Sequence, residues 1–132
     1  MELINKPSWL NIDQDATLRN WAGNSEIDSQ AGGKFGPPSS HIIFSGKMTL
    51  FTSAKKRPIA KTDRNYKAQT IWFTTPSGAA VFVAGNNYWA CELSYTCMEG
   101  NVDESTRSVL QSVTRQVLTL WSIKGVGKQL GN

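Results

Sequence analysis

The segment TIWFTTPSGAAVFVAG at residues 70–85 constrains the fold of this chain more than any other part of the sequence. Its first half is rich in β-branched and aromatic residues, which favour a strand. The tripeptide Pro-Ser-Gly is typical of a turn, and Gly78 can adopt the positive φ that such a turn needs. Its second half is small and apolar throughout, which predicts a strand buried on both faces. The sequence therefore predicts a buried β-hairpin at about 70–85.

A long amphipathic helix is predicted at about 103–122. Apolar residues recur there at spacings of three and four, which places them on one stripe of a helix. Asp103 or Ser105 can cap the first turn, and Lys124 and Gly125 suit its end. The stripe would pack on the hairpin, so the predicted fold class is α+β, a small sheet with a C-terminal helix packed on it.

The remaining segments have weaker patterns. Two short strands are predicted at 41–46 and 47–53, with Ser45 and Gly46 as the turn between them. A short helix is predicted around residues 13–21. Irregular structure is predicted for the loop at 31–40, the loop or short strand at 86–93 and the flexible tail at 125–132.

The length of 132 residues is typical of one domain, and we predict a single domain over residues 1–132. The composition, 39% hydrophobic and 18% charged, is that of a globular protein rather than a disordered one. No apolar run approaches the roughly 18 residues that span a membrane, and the N-terminus lacks the regions of a signal peptide. These features predict a soluble protein without membrane insertion and favour the cytoplasm.

Positive charge is concentrated in one segment. Six basic residues and one acidic residue lie between positions 55 and 67, whereas the whole chain has a net charge of +4. Such a segment can bind a polyanion, and the alternative is a solvated loop between strands. The candidate binding residues are Lys55, Lys56, Arg57, Lys61 and Arg64.

Two aromatic residues, Tyr88 and Trp89, follow the second apolar segment. As exposed rings they would stack on a carbohydrate or a base. The alternative is that they close the end of the strand by packing against it. They form the second set of candidate binding residues.

The sequence contains one histidine, His41, and no GxSxG motif that would present a serine nucleophile. A structural role beside a strand is therefore predicted for His41. Cys91 could act as a nucleophile only if His41 were close to it in space. Cys91 and Cys97 could instead form a disulfide across a turn or remain two free thiols, and their spacing fits neither a redox motif nor a zinc site.

Glu26 and Asp28 form a pair of carboxylates two residues apart. On an extended segment both side chains would project from the same side. Such a pair can bind a hard cation or act as a general base, and the alternative is two solvated acids in a polar loop.

The run from 70 to 128 forms one unit: an aromatic strand is followed by PSGAAVFVAGNNYWACEL, then by a helix that ends in SVTRQVLTLW, then by GVGKQ. Together these segments resemble the C-terminal end of the glutamine-amidotransferase-like domain in the large subunit of N,N-dimethylformamidase and its relatives. Members of that family have a G-A-V-F-x-A-G-x-x-x-W-x-x-L strand and a V-x-x-x-T-x-N-V-L helix, and Gln116 replaces the helix asparagine. The matching residues are Gly78, Val81, Phe82, Ala84, Gly85, Trp89, Leu93, Val113, Val117 and Leu118.

The resemblance covers about half of the chain. It implies a relative of amide hydrolases whose mononuclear iron is held by tyrosines and a glutamate. The segment NSEIDS resembles the family's glutamate-bearing segment, so the resemblance implies Glu26 as a metal ligand. The tyrosine ligands precede the matched region and are not carried over to Tyr66, Tyr88 or Tyr95. The chain would then be the C-terminal part of a larger domain, or a reuse of its core motif without the chemistry.

No motif in the chain assembles a nucleophile, a base and an oxyanion donor, so the sequence leaves open whether the chain is an enzyme. The resemblance implies a non-catalytic or partner-dependent domain, with a partner chain or a homo-oligomer completing its sheet. The first alternative is a small basic module that binds a polyanion or a carbohydrate. The second alternative is a stand-alone hydrolase that uses Glu26 and Asp28, or Cys91.

Overall fold

The fold is given by a computed structural model, which describes residues 1–19, 40–47, 51–52, 57–58, 67–85, 89–94, 102–123 and 125–130. These residues form six strands and three helices. The strands are β1 (Glu2–Leu3), β2 (His41–Lys47), β3 (Phe51–Thr52), β4 (Arg57–Pro58), β5 (Lys67–Thr74) and β6 (Ala80–Val83). The helices are α1 (Trp89–Glu92), α2 (Glu104–Trp121) and α3 (Val126–Leu130).

The main sheet has four strands in the order β1-β2-β5-β6, and every pairing in it is antiparallel. Strands β3 and β4 pair separately as a small ribbon. The long helix α2 packs its apolar stripe against one face of the main sheet. The predicted α+β class is therefore confirmed, and so is the C-terminal helix on a small sheet.

Strands β5 and β6 form the predicted hairpin. Gly78 has a φ of +86°, and the turn is closed by a 2.8 Å hydrogen bond from the Thr75 amide to the Ala79 carbonyl. The prediction that the second strand is buried on both faces is wrong, because all four residues of β6 are only half-buried. Within the described sheet β6 is an edge strand, so one of its sides has no neighbouring strand to cover it.

The predicted turn at Ser45 and Gly46 is also wrong, because β2 continues through both residues as far as Lys47. Gly46 instead allows the N-terminus to approach the strand. A Cβ at this position would lie 2.8 Å from the Cα of Met1. The glycine therefore permits a close contact between segments that are distant in sequence.

The N-terminal segment pairs with the sheet rather than forming the helix predicted around 13–21. Where the helix was predicted, residues 13–16 form a turn in which the Ala16 amide donates to the Asp13 carbonyl at 3.2 Å. Thr17 then forms an antiparallel bridge with Glu2. Residues 20 and 21 lie outside the described residues. The backbone hydrogen bonds that a helix would need are used here for sheet pairing.

The start of α2 agrees with the sequence prediction. Asp103 is the N-cap, and its carboxylate accepts a 2.8 Å hydrogen bond from the Thr106 amide. The helix ends at Trp121 with Ser122 as the C-cap. Gly125 has a φ of +74° but lies beyond that cap, at the start of the turn into α3.

The core lies between α2 and the sheet. Phe44 on β2 and Leu110 and Val113 on α2 are fully buried there. A β-bulge between Ile42 and Phe44 shifts the register of β2, so that the consecutive residues Ile43 and Phe44 are both buried. The core also includes Leu10, Leu18, Trp72, Trp89, Val102 and Val117.

Two short helices replace the irregular structure predicted after the hairpin. Helix α1 occupies part of the predicted loop or strand at 86–93, and α2 binds its last carbonyls. The Arg107 guanidinium donates to the carbonyls of Glu92 at 3.0 Å and Ser94 at 2.7 Å, and the Gln111 amide donates to that of Leu93 at 2.9 Å. These bonds satisfy carbonyl groups that the end of a helix leaves without partners.

Helix α3 replaces the predicted flexible tail. Its residues Val126 and Gly127 are buried. Gly127 lies against the hairpin turn, where an added Cβ would be 2.5 Å from the Ala79 carbonyl carbon. Contact with the hairpin therefore orders the C-terminal segment as far as Leu130.

Candidate binding cleft

A cleft of about 520 Å³ opens where the N-terminal segment, the start of β2, the middle of β5 and the end of α3 meet. This volume lies within the ~300–1,000 Å³ typical of small-molecule sites. No aspartate or glutamate is among the lining residues in the described part of the chain. The side chains that matter for its chemistry are Lys6, Trp9, His41, Trp72 and Gln129.

The central feature of the cleft is a stacked pair of rings. His41 and Trp72 are opposite each other in the β2–β5 register, so their side chains project from the same face of the sheet. Their ring centroids are 4.8 Å apart and the ring planes differ by 20°. Trp72 is 6% exposed and fixed in the core, whereas His41 is exposed. The imidazole is thus an accessible ring on a rigid aromatic support.

The ring nitrogens of His41 make no hydrogen bond to any residue that the structure describes. A histidine with a purely structural role usually uses at least one ring nitrogen to bond a neighbouring group. Position and stacking therefore hold His41, and no described residue occupies either ring nitrogen.

Trp9 forms the other aromatic wall. Its ring meets that of Trp72 edge to face, with centroids 5.7 Å apart and planes at 89°, and it meets Trp121 at 5.4 Å and 69°. The two indole N–H groups of Trp9 and Trp72 are buried without an acceptor among the described residues. By contrast, the indole of Trp121 donates to the Ala80 carbonyl at 2.7 Å. Because these two N–H groups are themselves buried, they belong to the packing of Trp9 and Trp72 and are not presented to a ligand in the open cleft.

Lys6 is the one lysine or arginine among the described residues that line the cleft. Its ammonium donates to the Ile12 carbonyl at 3.1 Å, which uses one of its three N–H bonds. Lys6 forms no ion pair with any carboxylate in the described ranges. The ammonium is therefore positioned by the backbone, and no acidic side chain of the described residues neutralises it.

Most of the candidate site residues from the sequence lie outside the described residues. For Arg57 the structure gives only the backbone, in β4. The proposed roles of these residues stay predictions. The residues outside the described part are Glu26, Asp28, Lys55, Lys56, Lys61, Arg64, Tyr88 and Cys97.

Trp89 is part of the core. It is 6% exposed, its ring packs edge to face on Phe82 at 5.4 Å, and its indole donates to the Thr114 hydroxyl at 2.8 Å. This is the packing alternative of the sequence analysis. A role in stacking on a carbohydrate would need an exposed face that the Trp89 ring does not have.

Cys91 is disulfide-bonded, so it has no thiolate with which to attack a substrate, and its predicted alternative role as a nucleophile is wrong. Cys97 is the only other cysteine of the chain, but it lies outside the described residues. The pairing of Cys91 with Cys97 therefore stays a prediction.

The described part of the chain contains no set of ligands for the iron that the resemblance implies. No group of three or more histidine, cysteine, aspartate or glutamate side chains is placed there to hold a metal ion. Glu26, the implied ligand, is outside that part.

No helix among the described residues is both long and apolar enough to cross a membrane.

Sequence reasoning missed Lys6, Trp9 and Trp72 as site residues. Trp72 is one of several apolar residues in a strand, and Lys6 and Trp9 lie in a poorly patterned segment. The feature that brings His41 opposite Trp72 is the antiparallel pairing of β2 with β5. That register could not be derived from either strand alone, because a bulge shifts it.

No family model, no curated protein and no solved structure matches this chain. The function is therefore argued from the geometry of the cleft.

Proposed function

We propose that this chain is a non-catalytic binding domain that holds a small carbohydrate in the cleft against the exposed His41 ring and the half-buried Trp9 ring, with the buried Trp72 supporting the imidazole from behind. The observation that carries the proposal is the exposed His41 ring, which is stacked on the buried Trp72 and has both nitrogens free of described partners. This arrangement offers a sugar both an aromatic face and hydrogen-bonding groups.

The aromatic groups suit the apolar face of a sugar ring. Rings held in place by packing lose little conformational entropy when a ligand binds, and they bury a large area. Trp72 is held by the core, and Trp9 is wedged between Trp72 and Trp121. The walls of the cleft are therefore formed before the ligand arrives.

The polar groups suit the hydroxyls of a sugar. Lys6 and the imidazole of His41 can donate, and the Gln129 amide at the end of α3 can donate and accept. A few polar groups set among aromatic side chains are what a small-molecule site usually contains. The described residues of the cleft contain no acid and base pair, which favours binding over hydrolysis.

We also propose, from the resemblance, that the 70–128 segment is an amidotransferase-like core motif used without the iron chemistry. Two matched glycines support this reading. Gly85 has a φ of +79°, and a Cβ there would collide with the Gln69 carbonyl, while Gly78 has the positive φ of the hairpin turn. These two matched glycines are thus required by the backbone conformation, which is consistent with a structural role for the motif.

Native mass spectrometry of the untagged chain tests that second proposal. A species without iron supports a core motif without the chemistry, whether the chain is a monomer or a homo-oligomer. One iron per chain that is lost in a Glu26→Gln variant would contradict it and support the metal site that the family resemblance implies.

The carbohydrate proposal is tested by NMR of the indole N–H groups. The chain has five tryptophans, and Trp→Phe variants assign their side-chain signals. D-glucose, D-galactose, N-acetyl-D-glucosamine and D-glucuronate are then titrated in turn. We expect at least one of them to shift the Trp9 and Trp72 signals while leaving that of Trp89, which is bonded to Thr114, in place.

A His41→Ala variant should weaken that binding about 5- to 10-fold, because it removes the exposed ring and its nitrogens. Leu118→Ala is the matched control, because Leu118 is 67% exposed on α2 and does not line the cleft. The proposal is wrong if none of the four sugars shifts the Trp9 and Trp72 signals, or if the two variants bind equally.

A further inference from the structure

We propose that the ligand of the cleft is a disaccharide unit, with one sugar ring stacked on His41 and the next ring against Trp9. This inference rests on the carbohydrate-binding function proposed above and names the size of the ligand. Three features of the cleft support it: the planes of its two accessible rings, its volume and the origin of its polar side chains.

The two accessible rings of the cleft lie in different planes. The His41 ring is within 20° of parallel to the ring of Trp72, with the centroids 4.8 Å apart. The Trp9 ring is at 89° to the same indole, with the centroids 5.7 Å apart. The planes of His41 and Trp9 are therefore at least about 69° apart, although both rings contact Trp72. The cleft thus has two neighbouring aromatic groups that are far from coplanar.

One sugar ring cannot lay its apolar face on two such planes. A pyranose ring has its C–H groups on its two faces and most of its hydroxyls at its rim. If one face stacks on His41, the rim is the part that meets the plane of Trp9, and hydroxyls there lose water without gaining a hydrogen bond. A second ring, joined by a glycosidic bond that rotates, can turn its own apolar face toward Trp9.

The volume of the cleft exceeds that of one sugar ring. A hexose has roughly twelve non-hydrogen atoms, and it would fill about 360 Å³ even if each atom took the ~30 Å³ share of a liquid water molecule. Covalently bonded atoms are closer together than water molecules, so the true volume of the hexose is smaller. The cleft has a volume of about 520 Å³ and therefore leaves room for a second ring beside the first.

Uncharged polar side chains line the cleft from two segments that are distant in the chain. Asn5 and Ser8 belong to the N-terminal segment that carries Trp9, and Gln129 belongs to α3. None of these three side chains is bonded to a residue that the structure describes. Each can donate and accept hydrogen bonds, as sugar hydroxyls do. The N-terminal segment thus supplies an aromatic ring together with polar side chains, as a second sugar position needs.

The inference is tested by isothermal titration calorimetry of matched sugars into the full chain. The pairs are D-glucose with cellobiose, D-galactose with lactose, and N-acetyl-D-glucosamine with N,N′-diacetylchitobiose. In at least one pair we expect the disaccharide to bind about tenfold more tightly than the monosaccharide. Two rings that compete for a single position would give only a statistical gain of about twofold.

The His41→Ala variant should remove most of that gain, because the disaccharide then keeps one aromatic contact of two. In this variant the two sugars of the pair should bind within about threefold of each other. Leu118→Ala is the matched control and should keep the full gain, because Leu118 is exposed and does not line the cleft. His41 is also exposed, so its substitution should leave the fold intact, which circular dichroism checks.

The outcomes separate the two proposals. If the sugars of every pair bind the parent chain within about threefold of each other, the disaccharide inference is wrong while the carbohydrate function stands. The inference is also wrong if the gain persists in His41→Ala, because the two rings would then not occupy His41 and Trp9 together. If no sugar of any pair binds, the carbohydrate function itself is wrong.

Discussion

The indole nitrogen of Trp121 donates a 2.7 Å hydrogen bond to the carbonyl oxygen of Ala80. The last residue of α2 is thereby joined to the first residue of β6. Because Thr75 and Ala79 form the hydrogen-bonded pair that closes the hairpin, the next pair along is not bonded to each other, and the Ala80 carbonyl points away from β5. Trp121 thus satisfies a carbonyl on the exposed edge of the sheet and makes that edge less available to another chain.

Replacing Trp121 by phenylalanine should lower the free energy of unfolding by about 1 kcal/mol, because the hydrogen bond to Ala80 is lost while an aromatic ring is retained. Urea denaturation measures the change. Leu118→Ala, at a position 67% exposed on the same helix, should stay within about 0.5 kcal/mol of the parent. Equal stabilities for the two variants would mean that the bond contributes nothing.

Replacing Arg107 by methionine should lower the free energy of unfolding by about 2–4 kcal/mol. Arg107 is 9% exposed and bonds the carbonyls of Glu92 and Ser94, which would both lose their partner. Because these carbonyls end the helix that carries Cys91, the disulfide should also be reduced faster by dithiothreitol. Arg115→Met, at an exposed position of the same helix, is the control for both readouts. A reduction rate equal to that of the control would show that Arg107 does not hold the α1 segment.

A Gly127→Ala substitution should lower the free energy of unfolding by about 1–3 kcal/mol through overpacking, because its Cβ would lie 2.5 Å from the Ala79 carbonyl carbon. Undocking of α3 should also weaken ligand binding, since Gln129 and Leu130 line the cleft. Gly125→Ala is the contrasting variant. Nothing lies within 4 Å of its Cβ, so only the φ of +74° opposes it, at a cost of about 1 kcal/mol. A milder effect at Gly127 than at Gly125 would contradict the packing of α3 on the hairpin.

Acid should weaken the fold partly through Asp103. The hydrogen bond from the Thr106 amide, with those from the side chains of Thr106 and Ser105, holds the pKa of Asp103 below its ordinary value of 3.8. The unfolded chain therefore takes up a proton at a higher pH than the folded chain. This contribution to stability is complete above about pH 3.8 and is lost as the pH falls through the lowered pKa.

An Asp103→Asn variant should lose this part of the pH dependence, because its amide oxygen can still accept from Thr106 but does not titrate. The free energies of unfolding of the variant and the parent should differ most in neutral solution and converge in acid. Thermal unfolding from pH 2 to 7 measures the difference. Parallel curves for the two proteins would show that Asp103 does not contribute to the acid response.

The elements that the sequence predicted well are those whose signals are local. A turn tripeptide with Gly78 at a positive φ defined the hairpin, and the capping carboxylate of Asp103 defined the start of α2. The elements that were wrong depend on distant contacts. The sequence predicts a turn at Gly46 because the contact of this residue with Met1 is not local in the chain. It likewise predicts a free tail at 126–130 because the contact of Gly127 with the hairpin turn is not local.

The sequence by itself determined the class of the fold, because alternation, turn chemistry and the apolar stripe act between residues close in the chain. It also determined which residues could take part in chemistry, including a single histidine. Only the tertiary structure decided that His41 stacks on Trp72, that Trp9 packs against the same Trp72 and that Lys6 lines the same cleft. These contacts join segments more than 30 residues apart in the chain, through a strand register that a bulge shifts. Long-range packing, which no local pattern encodes, therefore created the cleft.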